Sequence, residues 1–147
     1  MATKELLTML FERGNAMQSF WGFYITVAGA LLAFFGSAQR SKNLAIALSL
    51  LFVAFAAVNG NGMYDIARQR HSIFQIMIAK PTAPNDDWLS ATSSAKNKRD
   101  LICASQPPTP LGVAAFHIAS DLGVLAAIWL LTLLPRESDF FKKGPTI

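Results

Sequence analysis

Three long stretches of the chain carry almost no charge, and they limit the fold more than any other feature. Residues 14–39 and 43–64 contain no Asp, Glu, Lys or Arg, and residues 111–135 contain only Asp121. The hydrocarbon core of a bilayer is about 30 Å thick, and a helix needs about 20 mostly apolar residues to cross it. Each stretch is long enough, so the sequence predicts an all-α integral membrane protein with three transmembrane helices.

The predicted transmembrane helices run over residues 17–37, 44–66 and 111–134. The polar turn between the first two is short, which makes these helices antiparallel neighbours. Apolar residues continue beyond the second span and predict a helical extension to about residue 80, too short to cross a membrane by itself. Near the end of this span, Gly60 and Gly62 are expected either to loosen the helix or to let a neighbouring backbone come close.

The segments outside the spans are amphipathic or polar. Residues 3–13 place leucines among charges, which predicts an amphipathic helix at the membrane surface. Gly14-Asn15 is predicted to end this helix before the first span. The mixed charge of the leading region favours a retained transmembrane helix over a cleaved signal peptide. Residues 81–110 are predicted to form a Pro-rich polar loop and residues 135–147 a charged tail, all within a single membrane domain, 1–147.

Five polar residues of the predicted spans are expected at a similar depth. On the third helix, His117 and Asp121 are four residues apart and therefore share one face. A rise of 1.5 Å per residue places Tyr24, Asn59 and Asn61 at about the depth of His117, roughly 8–11 Å inside the same membrane face, with Asp121 roughly 15 Å inside it. Antiparallel packing would bring these five side chains into one intramembrane polar layer.

Three interpretations of this layer remain open. Interhelical hydrogen bonds could fix the helix register. The His117/Asp121 pair could instead belong to a proton or ion path, because intramembrane carboxylates and histidines often act as relays. The layer could also hold a quinone, a lipid or a cofactor near Trp21, Tyr24 and His117. Haem is the weakest version, because His71 lies outside the span and His117 inside it, so one haem could not easily bind both. A haem or metal shared between two subunits stays open, and within one chain we expect no cofactor and no metal.

The third helix also carries a stripe of small residues, which would let another helix approach closely. At 100° per residue the stripe lies about 200° from the His117–Asp121 face. A protomer with three helices satisfies only one of these faces easily, so the stripe indicates a further partner, either another subunit or a second copy. The stripe comprises Ala115, Ala119, Gly123 and Ala127.

No sequence motif specifies a reaction. The chain has no Gly-rich phosphate loop, HExxH, CxxC or GxSxG motif, so we expect no catalytic residues and no enzyme activity. The single cysteine, Cys103, is expected to be an inert thiol. The net charge is +4, but Lys and Arg lie mostly at the edges of the apolar stretches. There they meet lipid headgroups, and we expect no nucleic-acid partner.

The chain is predicted to cross a membrane several times. A short chain with several spans is typical of bacterial inner-membrane proteins. With three spans, eight Lys and Arg lie on the side of the N-terminus and the long loop and five on the other. This difference slightly favours a cytoplasmic N-terminus and loop. The expected function is a non-enzymatic accessory or assembly subunit of a membrane complex, or a self-assembling oligomer. The alternatives are an oligomeric ion or proton channel and a quinone- or lipid-binding subunit.

Overall fold

Three α-helices make up the fold in the described part of the chain. The structure is a computed structural model, and it describes residues 3–37, 41–79 and 106–133. Helix α1 covers Thr3–Ser37, helix α2 covers Lys42–Ala79 and helix α3 covers Pro110–Leu133. All three are long and apolar enough to cross a membrane by length and composition. They indicate a multi-pass membrane protein, as the uncharged stretches predict.

Helix α1 differs from the prediction because it runs through Gly14-Asn15 without a break. A glycine inside a helix costs roughly 1 kcal/mol relative to alanine, but contacts with α2 favour the continuous helix here. Leu6 and Leu10 are buried against Met77 of α2. A Cβ at Gly14 would lie 3.6 Å from the guanidinium group of Arg70. The predicted separate helix 3–13 is therefore the first part of α1, and its location at a membrane surface stays a prediction.

Helix α2 is also continuous through Gly60 and Gly62, and Gly62 serves close approach instead of a break. A Cβ at Gly60 would lie 3.5 Å from the imidazole of His117. A Cβ at Gly62 would come within 2.6 Å of the Phe20 ring, nearer than two carbon atoms can approach without moving. Glycine at position 62 thus lets the Phe20 ring of α1 lie directly against the α2 backbone, whereas a Cβ at position 60 would make only an ordinary van der Waals contact with His117. The apolar residues after the second predicted span belong to the same helix.

Two hydroxyl side chains define helix starts. Ser41 Oγ accepts a hydrogen bond from the Leu44 amide at 3.2 Å, and Thr109 Oγ1 accepts one from the Gly112 amide at 3.1 Å. Each satisfies an amide that has no partner within the helix, which is the usual role of a serine or threonine N-cap. Pro110 follows Thr109 as the first residue of α3, where its missing N–H and fixed φ suit a helix start.

The apolar contacts set the order and direction of the helices. Leu6 of α1 packs near Met77 of α2 at one end, and Phe35 packs with Ala45 at the other. The two helices are therefore antiparallel. Val113 of α3 joins the cluster that contains Met17, Met63 and Ile66, whereas Ile128 joins Phe35 and Ala45. Helix α3 consequently runs parallel to α1 and antiparallel to α2.

These contacts divide the molecule into two regions. Helix α3 lies beside the part of α1 that follows Met17 and the part of α2 that precedes Ile66, and we call this the three-helix region. The first residues of α1 and the last residues of α2 continue beyond it as a pair, which we call the two-helix extension. Charged residues appear at the junction, with Arg13 on α1 and Asp65 on α2. The three-helix region therefore coincides with the uncharged stretches.

Several predictions concern residues outside the described ranges. They include most of the Pro-rich loop 81–110, Cys103 and the charged tail 135–147.

Candidate functional site

A chain of hydrogen bonds joins α2 to α3 inside the three-helix region. Asn59 Nδ2 lies 3.1 Å from Nε2 of His117, and His117 Nδ1 lies 2.8 Å from Oδ2 of Asp121. Asn59 and His117 are each only 3% exposed. Asp121 follows His117 by one helical turn, so the two side chains meet along one face of α3. We call Asn59, His117 and Asp121 the polar cluster.

The partners of Asn59 determine which imidazole nitrogen carries the proton. Asn59 Nδ2 also donates to Met63 Sδ at 3.3 Å. An amide nitrogen can only donate, so His117 Nε2 acts as an acceptor in the hydrogen bond with Asn59. The imidazole proton then lies on Nδ1 and is donated to the carboxyl group of Asp121. Asp121 is the final acceptor of the chain.

Aromatic rings from α1 pack against the His117 imidazole on the side away from α2. The ring centroid of Tyr24 lies 4.9 Å from that of His117, and the Trp21 centroid lies 5.8 Å away. Trp21 also makes edge contacts with Tyr24 at 5.7 Å and with Phe116 at 5.3 Å. Helix α1 therefore contributes apolar ring surface to the site, and these rings hold the imidazole between α1 and α2.

Two polar atoms next to the cluster have no hydrogen-bond partner among the described residues. They are the Tyr24 hydroxyl and Oδ1 of Asp121, and both are buried. The two groups are near enough to interact electrostatically. Tyr24 therefore adjoins the polar cluster from α1 through a buried donor, and the Asp121 oxygen that His117 does not use is itself buried.

The structure brings four of the five predicted polar residues together and leaves one outside. Tyr24, Asn59, His117 and Asp121 converge, whereas Asn61 is exposed. Residues two apart on a helix point about 200° away from each other, so Asn61 cannot reach His117 from the same direction as Asn59. Asn61 therefore stays outside the polar cluster.

The predicted small-residue stripe lies on the side of α3 that faces away from α1 and α2. Ala115, Ala119 and Gly123 are exposed and Ala127 is half-buried. No other described residue comes within 4 Å of a Cβ built at Gly123. The stripe is therefore available for contact with another helix, and its role in such a contact stays a prediction.

An open groove of about 510 Å³ between α2 and α3 leads to the polar cluster. We call it the apolar groove. Its lining consists mainly of apolar side chains, with Asn61, Tyr64, His117 and Asp121 as the polar members. Of the three residues near which a ligand was expected from sequence, His117 lines this groove, whereas Trp21 and Tyr24 do not. Small residues on both helices, such as Ala56, Gly60 and Ala114, line this groove.

A second groove of about 510 Å³ lies where the two-helix extension begins. We call it the charged groove, because Glu12 and Arg13 of α1 and Asp65 and Arg68 of α2 line it. All four charged residues are exposed. They form no ion pair with one another in the described structure.

Metal ligands are not grouped in the described ranges, which contain no cluster of three or more His, Cys, Asp or Glu residues suited to a metal ion. His71 lies twelve residues after Asn59 on α2, which corresponds to about 18 Å along the helix. Since His117 contacts Asn59, the two histidines are too far apart to bind one haem together.

Comparison with known proteins gives no family for this chain. No family model matches it, and neither curated proteins nor solved structures include a match. The functional argument therefore depends on the polar cluster, the two grooves and the exposed helix faces.

Proposed function

We propose that this chain is a small, non-enzymatic integral membrane protein that acts as an accessory or assembly subunit of a membrane complex, or assembles with copies of itself. The hydrogen-bond chain from Asn59 through His117 to Asp121 is the observation that carries the proposal. Its members bind one another and join α2 to α3, as expected for polar groups that fix helix register in a membrane.

The outer surface of the bundle supports the same proposal. In the apolar 18-residue stretches of α1, α2 and α3, only 17%, 22% and 17% of the residues are buried within the protomer. Helix association in a membrane depends on close van der Waals packing, which small residues allow. The exposed stripe with Ala115, Ala119 and Gly123 provides such a surface, so we propose that a partner helix packs there.

Native mass spectrometry of the protein, extracted gently from its own membrane, tests this proposal. We expect either a closed homo-oligomer or co-purification with other membrane subunits. Gly123→Leu should then release the partner or reduce the oligomer to the monomer, because leucine prevents close helix approach. Gly29→Leu is the matched control, since Gly29 is also exposed and a Cβ there also meets nothing within 4 Å.

The two glycine variants give a clear result in either direction. If Gly123→Leu dissociates the assembly and Gly29→Leu does not, the stripe is an interface. A wild-type protein that remains monomeric under gentle extraction, without other subunits, would contradict the accessory role. If the assembly survives both substitutions, the stripe is not the interface.

A proton path is a second candidate, because the hydrogen bonds of the polar cluster are contiguous and Tyr24 adjoins them. In this case the Asp121 carboxyl group would accept and release the transported proton. Asp121→Asn should abolish proton flux into liposomes while the assembly remains intact. Unchanged flux in this variant, or no flux in the wild-type protein, would eliminate this candidate.

A further inference from the structure

The charged groove lies where two of the uncharged stretches end. Arg13 directly precedes the uncharged residues 14–39, and Asp65 directly follows the uncharged residues 43–64. As a helix, residues 43–64 measure about 33 Å, which matches the hydrocarbon core of a bilayer at about 30 Å. With α1 and α2 across a membrane, the charged groove therefore lies at the level of the lipid headgroups on one face of the bilayer.

One face of each helix supplies the lining of this groove. On α1 the lining includes Met9, Glu12 and Arg13. Glu12 and Arg13 follow Met9 by three and four residues, so the three side chains share a face. On α2 the lining includes Asp65 and Arg68, which are related in the same way. Four charged side chains from two helices therefore line one space.

The helix packing gives the order of these charges along the groove. Two contacts between the antiparallel helices fix their relative level, and they are Leu6 with Met77 and Phe20 with Gly62. Arg13 is midway between the two α1 members, and the midpoint of the two α2 members falls within two residues of Arg68, about 3 Å along the axis. Glu12 lies beyond Arg13 on the side away from the hydrocarbon, and Asp65 lies about 4.5 Å from Arg68 on the hydrocarbon side. The order is therefore a carboxylate, two guanidinium groups and a second carboxylate.

The charges of the groove call for an occupant that carries both signs. Two arginines balance two acids, all four side chains are exposed, and none of them forms an ion pair with another described residue. Guanidinium groups at the same level repel each other, and an anion between them would relieve this repulsion. An anion alone would be repelled by the carboxylate at each end. An anion joined directly to a cation would satisfy both arginines and one of the carboxylates.

We propose that the charged groove binds the phosphoethanolamine headgroup of a zwitterionic phospholipid. The phosphate lies between Arg13 and Arg68, because arginine presents paired N–H donors that match phosphate oxygens. The ammonium group donates to Glu12, on the aqueous side of the phosphate, and the acyl chains extend into the hydrocarbon. Asp65 keeps the groove neutral, which disfavours headgroups that carry a phosphate without an amine. This inference requires the helices to span the membrane, but it is independent of any partner subunit.

Lipid selectivity provides the first test. The full-length protein is delipidated in detergent micelles, and native mass spectrometry follows the binding of phosphatidylethanolamine, phosphatidylcholine and phosphatidylglycerol with identical acyl chains. We expect phosphatidylethanolamine to bind saturably and about fivefold or more tightly than the other two, because choline has no N–H donor for Glu12 and glycerol has no positive charge. Equal or tighter binding of either other lipid, or no saturable binding of phosphatidylethanolamine, would overturn the proposal.

Two pairs of variants locate the headgroup, and all four replace exposed side chains, so the helical circular dichroism should stay unchanged. Arg68→Gln should weaken phosphatidylethanolamine binding about fivefold or more, while Lys42→Gln, at the other end of α2, should not. Glu12→Gln should lower the affinity for phosphatidylethanolamine to that for phosphatidylcholine. Glu5→Gln is its control, because Glu5 is on the same helix but does not line the charged groove. Lipid selectivity that survives Glu12→Gln, or unchanged binding in Arg68→Gln, would also overturn the proposal.

These outcomes are separate from those of the partner test. Lipid selectivity reports on the charged groove between α1 and α2, whereas Gly123→Leu reports on the small-residue stripe of α3. A monomer that prefers phosphatidylethanolamine supports the lipid site and contradicts the partner, whereas an assembled protein without this preference gives the opposite result.

Discussion

The polar cluster and the charged groove each bring polar groups of two helices together. The two sites differ in whether these groups are buried and whether they are paired. In the cluster, Asn59 and His117 are buried and hydrogen-bonded to each other across the helix interface. In the charged groove, Glu12 and Arg68 are exposed, and no ion pair joins the charged side chains within the described residues.

The difference follows from position along the helices. The polar cluster lies in the three-helix region, where a membrane would provide no water to solvate an unpaired polar group. A polar group there needs a hydrogen-bond partner within the protein, and the loss of such a partner lowers stability. The charged groove begins where charges reappear on α1 and α2, and water can solvate exposed side chains there. Ion pairs at such positions contribute little to stability.

Stability is therefore expected to come from different contacts in the two regions. The three-helix region depends on its polar cluster together with aromatic packing around His117. The two-helix extension depends on apolar contacts, since Leu6 and Leu10 are buried against Met77 there. Substitutions that compare chemically identical residues in different surroundings can test this difference directly.

The largest expected effect is that of His117→Ala. The substitution removes the hydrogen bonds to Asn59 and Asp121 and leaves a cavity beside Trp21 and Tyr24. We expect the free energy of unfolding to fall by about 2–4 kcal/mol, measured by detergent-induced unfolding in mixed micelles.

His71→Ala is the matched control for this prediction. His71 is half-buried, and its one described hydrogen bond, to Gln75, is long at 3.5 Å. We expect its replacement to change the unfolding free energy by about 0.5 kcal/mol or less. Similar losses for the two histidines would show that the polar cluster has no special role in stability.

A smaller effect is expected for Asn59→Ala, which leaves the imidazole in place but removes its partner on α2. The unfolding free energy should fall by about 1–2 kcal/mol, because His117 Nε2 becomes a buried acceptor without a donor. Asn61→Ala is the control, because Asn61 is exposed, and its effect should stay within about 0.5 kcal/mol. If Asn61→Ala proves the more harmful variant, Asn61 and not Asn59 is the residue that joins the helices.

The sequence was sufficient to predict three long apolar helices, for physical reasons. A bilayer-length helix must be nearly free of charge, so the uncharged stretches mark the three long helices. Depth then follows from a fixed rise per residue and predicts one layer, and the structure brings Tyr24, Asn59, His117 and Asp121 together. Rotation about the helix axis is not determined by depth, and this is why Asn61 lies outside the polar cluster.

Other features depend on contacts between distant parts of the chain. Gly14-Asn15 has the composition of a break, but packing of Leu6 and Leu10 against α2 outweighs the local preference and α1 continues. The apolar groove depends on how far α2 and α3 stand apart, which no single segment encodes. Its lining residues are separated in sequence by residues that do not line it, on both α2 and α3. Only the packed structure therefore shows that Ala56, Gly60 and Asp121 share one cavity.

The smallest effect is expected in the charged groove. Arg68→Ala removes an exposed guanidinium group that has no ion-pair partner among the described residues, so the unfolding free energy should change by about 0.5 kcal/mol or less. Raising the salt concentration from low to about 0.5 M should leave the wild type and the variant equally stable, because screening weakens only charge interactions that exist. A loss above about 1 kcal/mol that disappears at high salt would mean that the charged groove also holds its helices together electrostatically. In that event the polar groups of both regions would stabilise the fold, and position in the membrane would not be what separates them.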